Sequence, residues 1–159
     1  MARLELTELC QDAIDQVNEK MSFLFDEYDF ELIYQEDAKL GERCLFVLES
    51  PACRLRVTSE FGRVGLDIGT LDAPTGWQDA PDGKWEWFGI DSVIEFVGGR
   101  RPTLDELRQD GERVWAMTPA ERLEELATRL RPIAVDVFAL FRRDAAPERR
   151  QAFEAFLSG

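Results

Sequence analysis

Residues 53–69, CRLRVTSEFGRVGLDIG, alternate apolar and polar side chains on both sides of a Phe-Gly pair. A period of two marks a strand with one buried face. Two such runs around a glycine-containing turn make an antiparallel hairpin. Cys53, Leu55 and Val57 share one face and are matched across the turn by Val64, Leu66 and Ile68. Arg54, Arg56 and Asp67 share the other. With Phe61-Gly62 as a two-residue loop, residue 58 opposes 65 and Arg56 opposes Asp67; a four-residue loop sets Arg54 against Asp67 instead. In either register an arginine meets the one acid of that face, a contact of about 0.2–1 kcal/mol. The polar face therefore reads as the wet side of a sheet rather than as a site.

Two further segments carry strand composition, FELIY (30–34) and RCLFVLES (43–50). The breaks between the four candidates are DAKLGE, PA and EFG. Connections this short join antiparallel neighbours, so the expected sheet is a four-stranded meander in the order 1-2-3-4.

Helices flank this sheet. Leu6, Leu9, Cys10, Ala13, Ile14, Val17, Met21 and Leu24 recur at spacings of three and four and predict one amphipathic N-terminal helix. Glu5, Glu8, Asp12, Asp15 and Glu19 fall nearly opposite that stripe, with no base among them. Like charges at such spacing cost a few tenths of a kcal/mol per pair, so they do nothing for helix stability. IDSVIEFVGG (90–99) reads as a short helix capped by Asp91 or by Ser92 with Glu95, and stopped by Gly98-Gly99. Thr103 with Glu106, and Thr118 with Pro119 and Glu121, are helix-start signatures. Leu123, Leu126, Leu130, Ile133, Val137, Leu140 and Phe141 then keep an apolar stripe, which Pro132 should kink or split. A final helix carries Phe153, Phe156 and Leu157. The expected fold is α+β: an N-terminal helix, the four-stranded antiparallel meander, a short helix, then C-terminal helices packing on the sheet, all in one domain over residues 1–159.

Charge divides that domain. Residues 1–99 hold 8 Lys/Arg against 21 Asp/Glu, whereas residues 100–159 hold 11 of each, so the whole net charge of −13 lies in the first part. Such a surface repels phosphate backbones and attracts a basic protein. No nucleic acid and no membrane is expected as a partner. The N-terminus lacks the apolar core of a signal peptide, which makes the cytoplasm the expected location. Three cysteines, Cys10, Cys44 and Cys53, form an odd set with no close pair, so reduced buried thiols are expected rather than a disulfide framework or a zinc site.

The sequence contains no histidine, which removes Ser-His-Asp and Cys-His catalysis and histidine-based metal sites. GWQDAPDGKW lacks the spacing and the Ser/Thr of a phosphate loop. DAPDG lacks the alternating acids of a calcium loop. No cofactor and no metal is expected. Residues 70–88 form a Pro/Gly/Asp-rich connection with Trp77, Trp85 and Trp87, too much aromatic area for a loop to bury alone, so it should fold back over the sheet or a helix edge.

Tyr28-Asp29-Phe30 stands ahead of the first strand. Leu55-Arg56-Val57 and Arg63 to Gly69 form the hairpin, Trp87 to Val97 leads into the short helix, and Leu140-Phe141 closes a late one. In this order of pieces the chain resembles a family of uncharacterised bacterial proteins of similar length, whose members are similar in size, charge and class to the small acidic immunity proteins paired with bacterial toxins. The resemblance implies the same order of elements and carries no catalytic signature. The chain departs from it at Pro132 and in the proline-rich loop around Trp77. The leading expectation is a non-catalytic interaction module that docks a basic partner, in its concrete form an immunity-type inhibitor, through Glu5, Glu8, Asp12, Asp15 and Glu19. The alternative is a small-molecule binder, or an enzyme built on carboxylates, with the tryptophan-rich loop over a pocket.

Overall fold

The structure, a computed structural model, describes residues 8–38, 43–76 and 86–158. Five strands form one antiparallel sheet in chain order: β1 (Glu31–Ala38), β2 (Arg43–Glu49), β3 (Arg54–Glu60), β4 (Arg63–Gly69) and β5 (Phe88–Gly89). Before the sheet come α1 (Glu8–Lys20) and α2 (Phe23–Asp26). After it come α3 (Ile90–Val97), α4 (Leu104–Trp115), α5 (Pro119–Leu130), a 3₁₀ turn over Arg131–Ile133, α6 (Ala134–Ala139) and α7 (Pro147–Ser158). The fold is α+β with an antiparallel meander, as the short connections require. The fifth strand is an addition: Phe88 and Gly89 pair with Ile68 and Asp67, and two residues are too few to show a period.

The hairpin has the two-residue register. Glu60 faces Arg63 and Arg56 faces Asp67. Phe61 and Gly62 carry φ of 51° and 76°, the two left-handed residues of a type I′ turn. Leu55, Val57, Leu66 and Ile68 are buried in the main core; Val64, beside the turn, is only half-buried. That core takes side chains from α1, α2, α3, α5, α6 and α7 on one face of the sheet.

The other face is drier than alternation suggests. Leu45, Val47, Ala73 and Trp87 are buried there as a second cluster, with Tyr34 against them. β2 is apolar on both faces because the chain after β4 folds back across it. Trp87 donates its indole N–H to the Pro74 carbonyl at 2.8 Å, which satisfies the one polar atom that this burial strands. Arg54 and Arg56 are accordingly half-buried under that cover.

Two expectations about the helices need correction. The first helix does not run straight to Leu24. It ends at Lys20, because Met21, Phe23 and Leu24 are all buried and cannot share one face of a straight helix. Neither Asp91 nor Ser92 caps α3; Gly89 occupies the N-cap with no side-chain bond, and the Asp91 carboxylate is engaged by Arg122 and Arg129 instead. Pro132 splits the late helix, as its missing N–H dictates, and the 3₁₀ turn bridges the break. The capping boxes at Thr103 and Thr118 are both formed.

The cysteines correct a third. Cys10 on α1 and Cys44 on β2 form a disulfide, with Cα atoms 5.4 Å apart. Their separation of 34 residues hides the pair in the sequence. Both sit on core-facing positions where α1 crosses β2, and that places them within bridging reach. Cys53 remains a buried thiol, and burial pushes its pKa up to about 12.

Candidate functional site

Three surfaces bear on function. The first is the outer face of α1. Its apolar stripe, Cys10, Ala13 and Val17, is buried against the sheet and α5, which turns Asp12, Asp15 and Glu19 outward, all exposed. Asp15 accepts a hydrogen bond from Gln11 at 2.8 Å. The one base on the helix, Lys20, lies 3.8 Å from Glu19 and 3.6 Å from Glu124 of α5. Glu5 and the side chain of Glu8 lie outside the described residues.

The second is a cleft of about 230 Å³ between α3, α4 and α5. It exists because α4 stands away from the body. Leu104, Leu107, Val114 and Trp115 give α4 an amphipathic pattern, yet the helix buries none of its residues. Polar straps hold it instead: Arg113 to Glu125 of α5, Arg100 to Glu106, and the Arg63 guanidinium on the Trp115 ring. Leu107, Gly111 and Val114 form the apolar wall of the cleft, and a side chain at Gly111 would meet nothing within 4 Å.

The opposite wall is an ion-pair network. Arg122 bonds Asp91, and Glu125 at 3.0 Å; Arg129 bonds Asp91 at 2.8 Å and lies 3.9 Å from Glu125. Arg113 lies 3.5 Å from Asp110 and also bonds Glu125. These arginines, Arg113 foremost, hold the Glu125 carboxyl below the usual carboxylate range. Arg122 is 8% exposed, and its Nε has no hydrogen-bond partner. The Glu95 carboxylate lines the same cleft with neither a hydrogen bond nor an ion pair to any described residue. Burial raises its pKa, against the pull of Arg129 and Arg100 and with the push of Asp91 and Asp110.

The third surface is the covered face of the sheet. Arg56 bonds the Asp67 carboxylate at 2.9 and 3.2 Å and lies 4.9 Å from the Trp87 ring centroid. Arg54 bonds Glu49 at 2.9 Å and the Ala73 carbonyl at 2.7 Å. Arg54, Arg56, Asp67 and the Trp87 indole there all have structural partners, so this covered face reads as packing rather than as the wet side of a sheet. Trp77 and Trp85 lie outside the described residues. At the end of the sheet Asp29, Glu31, Glu49, Arg54 and Arg143 border a depression of about 520 Å³, where Arg143 lies 3.6 Å from Asp72.

Among the described residues no group of His, Cys, Asp and Glu converges as metal ligands do, and no helix is long and apolar enough to cross a membrane. Sequence reasoning placed Asp12, Asp15 and Glu19 but missed the cleft. Its one sequence signal is the amphipathic α4, which reads as an ordinary core helix until the structure leaves it unburied. Comparison with protein-family models, with curated proteins and with solved structures finds no match for this chain.

Proposed function

We propose that the protein works by binding a basic protein partner, with the outer face of α1 as the docking surface; an immunity-type inhibitor of a basic toxin is its concrete form. The observation that carries this reading is the outward array of Asp12, Asp15 and Glu19 on a helix whose only base, Lys20, is engaged by Glu19 and Glu124. The net charge of −13 adds a long-range field of the same sign. Such a field acts mainly on the association rate and is screened beyond about 8 Å at physiological ionic strength.

The test is a pull-down from native lysate with the wild type and with Asp12→Lys, Asp15→Lys, Glu19→Lys combined, followed by association kinetics at two salt concentrations. The partner should be basic, its association should slow steeply with salt, and the triple variant should associate slowly while keeping its fold. Retention of every partner at an unchanged rate would remove α1 as the docking face.

A further inference from the structure

We propose that the cleft between α3, α4 and α5 binds one lysyl or arginyl residue of a polypeptide, with Glu95 taking the cationic head and Leu107 and Val114 the aliphatic stem. The proposal extends the reading of a basic partner to a second site, and it is tested with small ligands so that it stands or falls apart from the α1 face.

The charge balance of the cleft points to a cation. Asp91, Asp110 and Glu125 are matched by Arg113, Arg122 and Arg129, each arginine contacting at least one of these carboxylates. Arg100, the next base, is bonded to Glu106. Glu95 is left over: with Glu125 behind the wall counted, the network carries one negative charge in excess, and Glu95 is the one lining carboxylate with no hydrogen bond or ion pair of its own. A half-buried carboxylate with no direct ion pair, offset only by the longer-range pull of Arg129 and Arg100, is poorly compensated, and an incoming cation relieves it.

The other wall points to the stem. Leu107 and Val114 flank Gly111, whose missing side chain leaves open space between them. Long basic side chains bury their methylenes along such a surface while the head reaches a polar group. The peptide carbonyls that flank a lysyl residue add acceptors for the arginines of the opposite wall, which a bare amine lacks.

The experiment is an NMR titration of the full chain with N-acetyl-lysine methylamide, following the Leu107 and Val114 methyls. N-acetyl-norleucine methylamide, which keeps the stem and lacks the charge, and n-butylamine, which lacks the carbonyl, are the comparison ligands. The lysine derivative should bind weakly, in the millimolar range expected of a single residue. Norleucine should be at least tenfold weaker, and butylamine should fall between them. Glu95→Gln, which keeps the shape, should weaken the lysine derivative at least tenfold, whereas Asp12→Asn on α1 should leave it unchanged. Affinity should fall as the pH is lowered through the raised pKa of Glu95, and that dependence should vanish in Glu95→Gln. Leu107→Ala should weaken the lysine derivative and norleucine alike. Equal binding of norleucine and lysine, or full affinity in Glu95→Gln with its spectrum otherwise native, would overturn the proposal. An equal loss in Asp12→Asn would reduce the effect to general charge and overturn it as well.

Discussion

The Arg56 guanidinium is held between two partners, the Asp67 carboxylate across the strand pair at 2.9 Å and the Trp87 ring at 4.9 Å. The cross-strand pair fixes the hairpin register, and the ring fixes the chain that folds back over the sheet. A double-mutant cycle of Arg56→Met and Asp67→Asn should return a coupling of about 0.5–1 kcal/mol in urea denaturation, the scale of a cross-strand pair with little exposure. Arg56→Ala should cost more than Asp67→Ala by a further ~0.5–1 kcal/mol, because it also removes the cation–π contact and the cover of its stem. Equal costs would mean that Trp87 draws nothing from the arginine.

The disulfide makes a countable prediction. Unfolded without reductant, the protein should show one titratable thiol, Cys53; after reduction it should show three. A bridge between residues 34 apart removes about 3–4 kcal/mol of loop entropy from the unfolded chain. Cys10→Ala with Cys44→Ala should be less stable than the oxidised wild type by that order. Three thiols before reduction would refute the bridge.

Cys53 should impose an alkaline limit. Its pKa of about 12 in the folded chain lies above the ordinary 9.0, so the folded state holds the thiol proton more tightly than the unfolded one. The stabilisation is complete below about pH 9 and is lost progressively as the pH rises towards 12. Cys53→Ala should flatten this part of the stability curve, and the native thiol should resist iodoacetamide at pH 8. A slope unchanged by the substitution would assign it to other groups.

α4 should open ahead of the rest of the molecule. Its amides are backed by no buried side chain, and the straps that hold it are two ion pairs and one cation–π contact at the surface, worth little each. Hydrogen exchange should show α4 opening at a free energy well below that of α5. Gly111→Ala should raise protection within α4 by about 0.5–1 kcal/mol, the difference in helix propensity. Protection of α4 equal to α5 would show that the helix is held by more than its straps.

Most of the fold was legible because local patterns and the tertiary outcome agree. The alternation in residues 53–69 gives the hairpin and its core face and leaves two registers, between which the structure sets Arg56 against Asp67. The two Thr-x-x-Glu boxes mark helix starts that need no tertiary partner, and Pro132 acts through its own backbone. What escaped depends on long-range contact. The Cys10–Cys44 bridge needs α1 laid across β2, and the second cluster needs Trp87 returned over Leu45 and Val47. Asp91 reads as a helix cap because its neighbours in sequence are visible; Arg122 and Arg129, its partners in space, are more than thirty positions away. The cleft was hidden for the opposite reason, since α4 has the pattern of a helix that packs and does not pack.

The looseness of α4 also separates two kinds of selection. Substitutions within Leu104–Trp115 leave no cavity in the core, so most should pass the threshold that folding sets on residues such as Leu55 or Phe141. The wall that α4 gives the cleft is then free to drift while the sheet and its helices stay fixed. Related chains would differ most along this one helix, and a recognition surface could be exchanged among them without rebuilding the body that carries it.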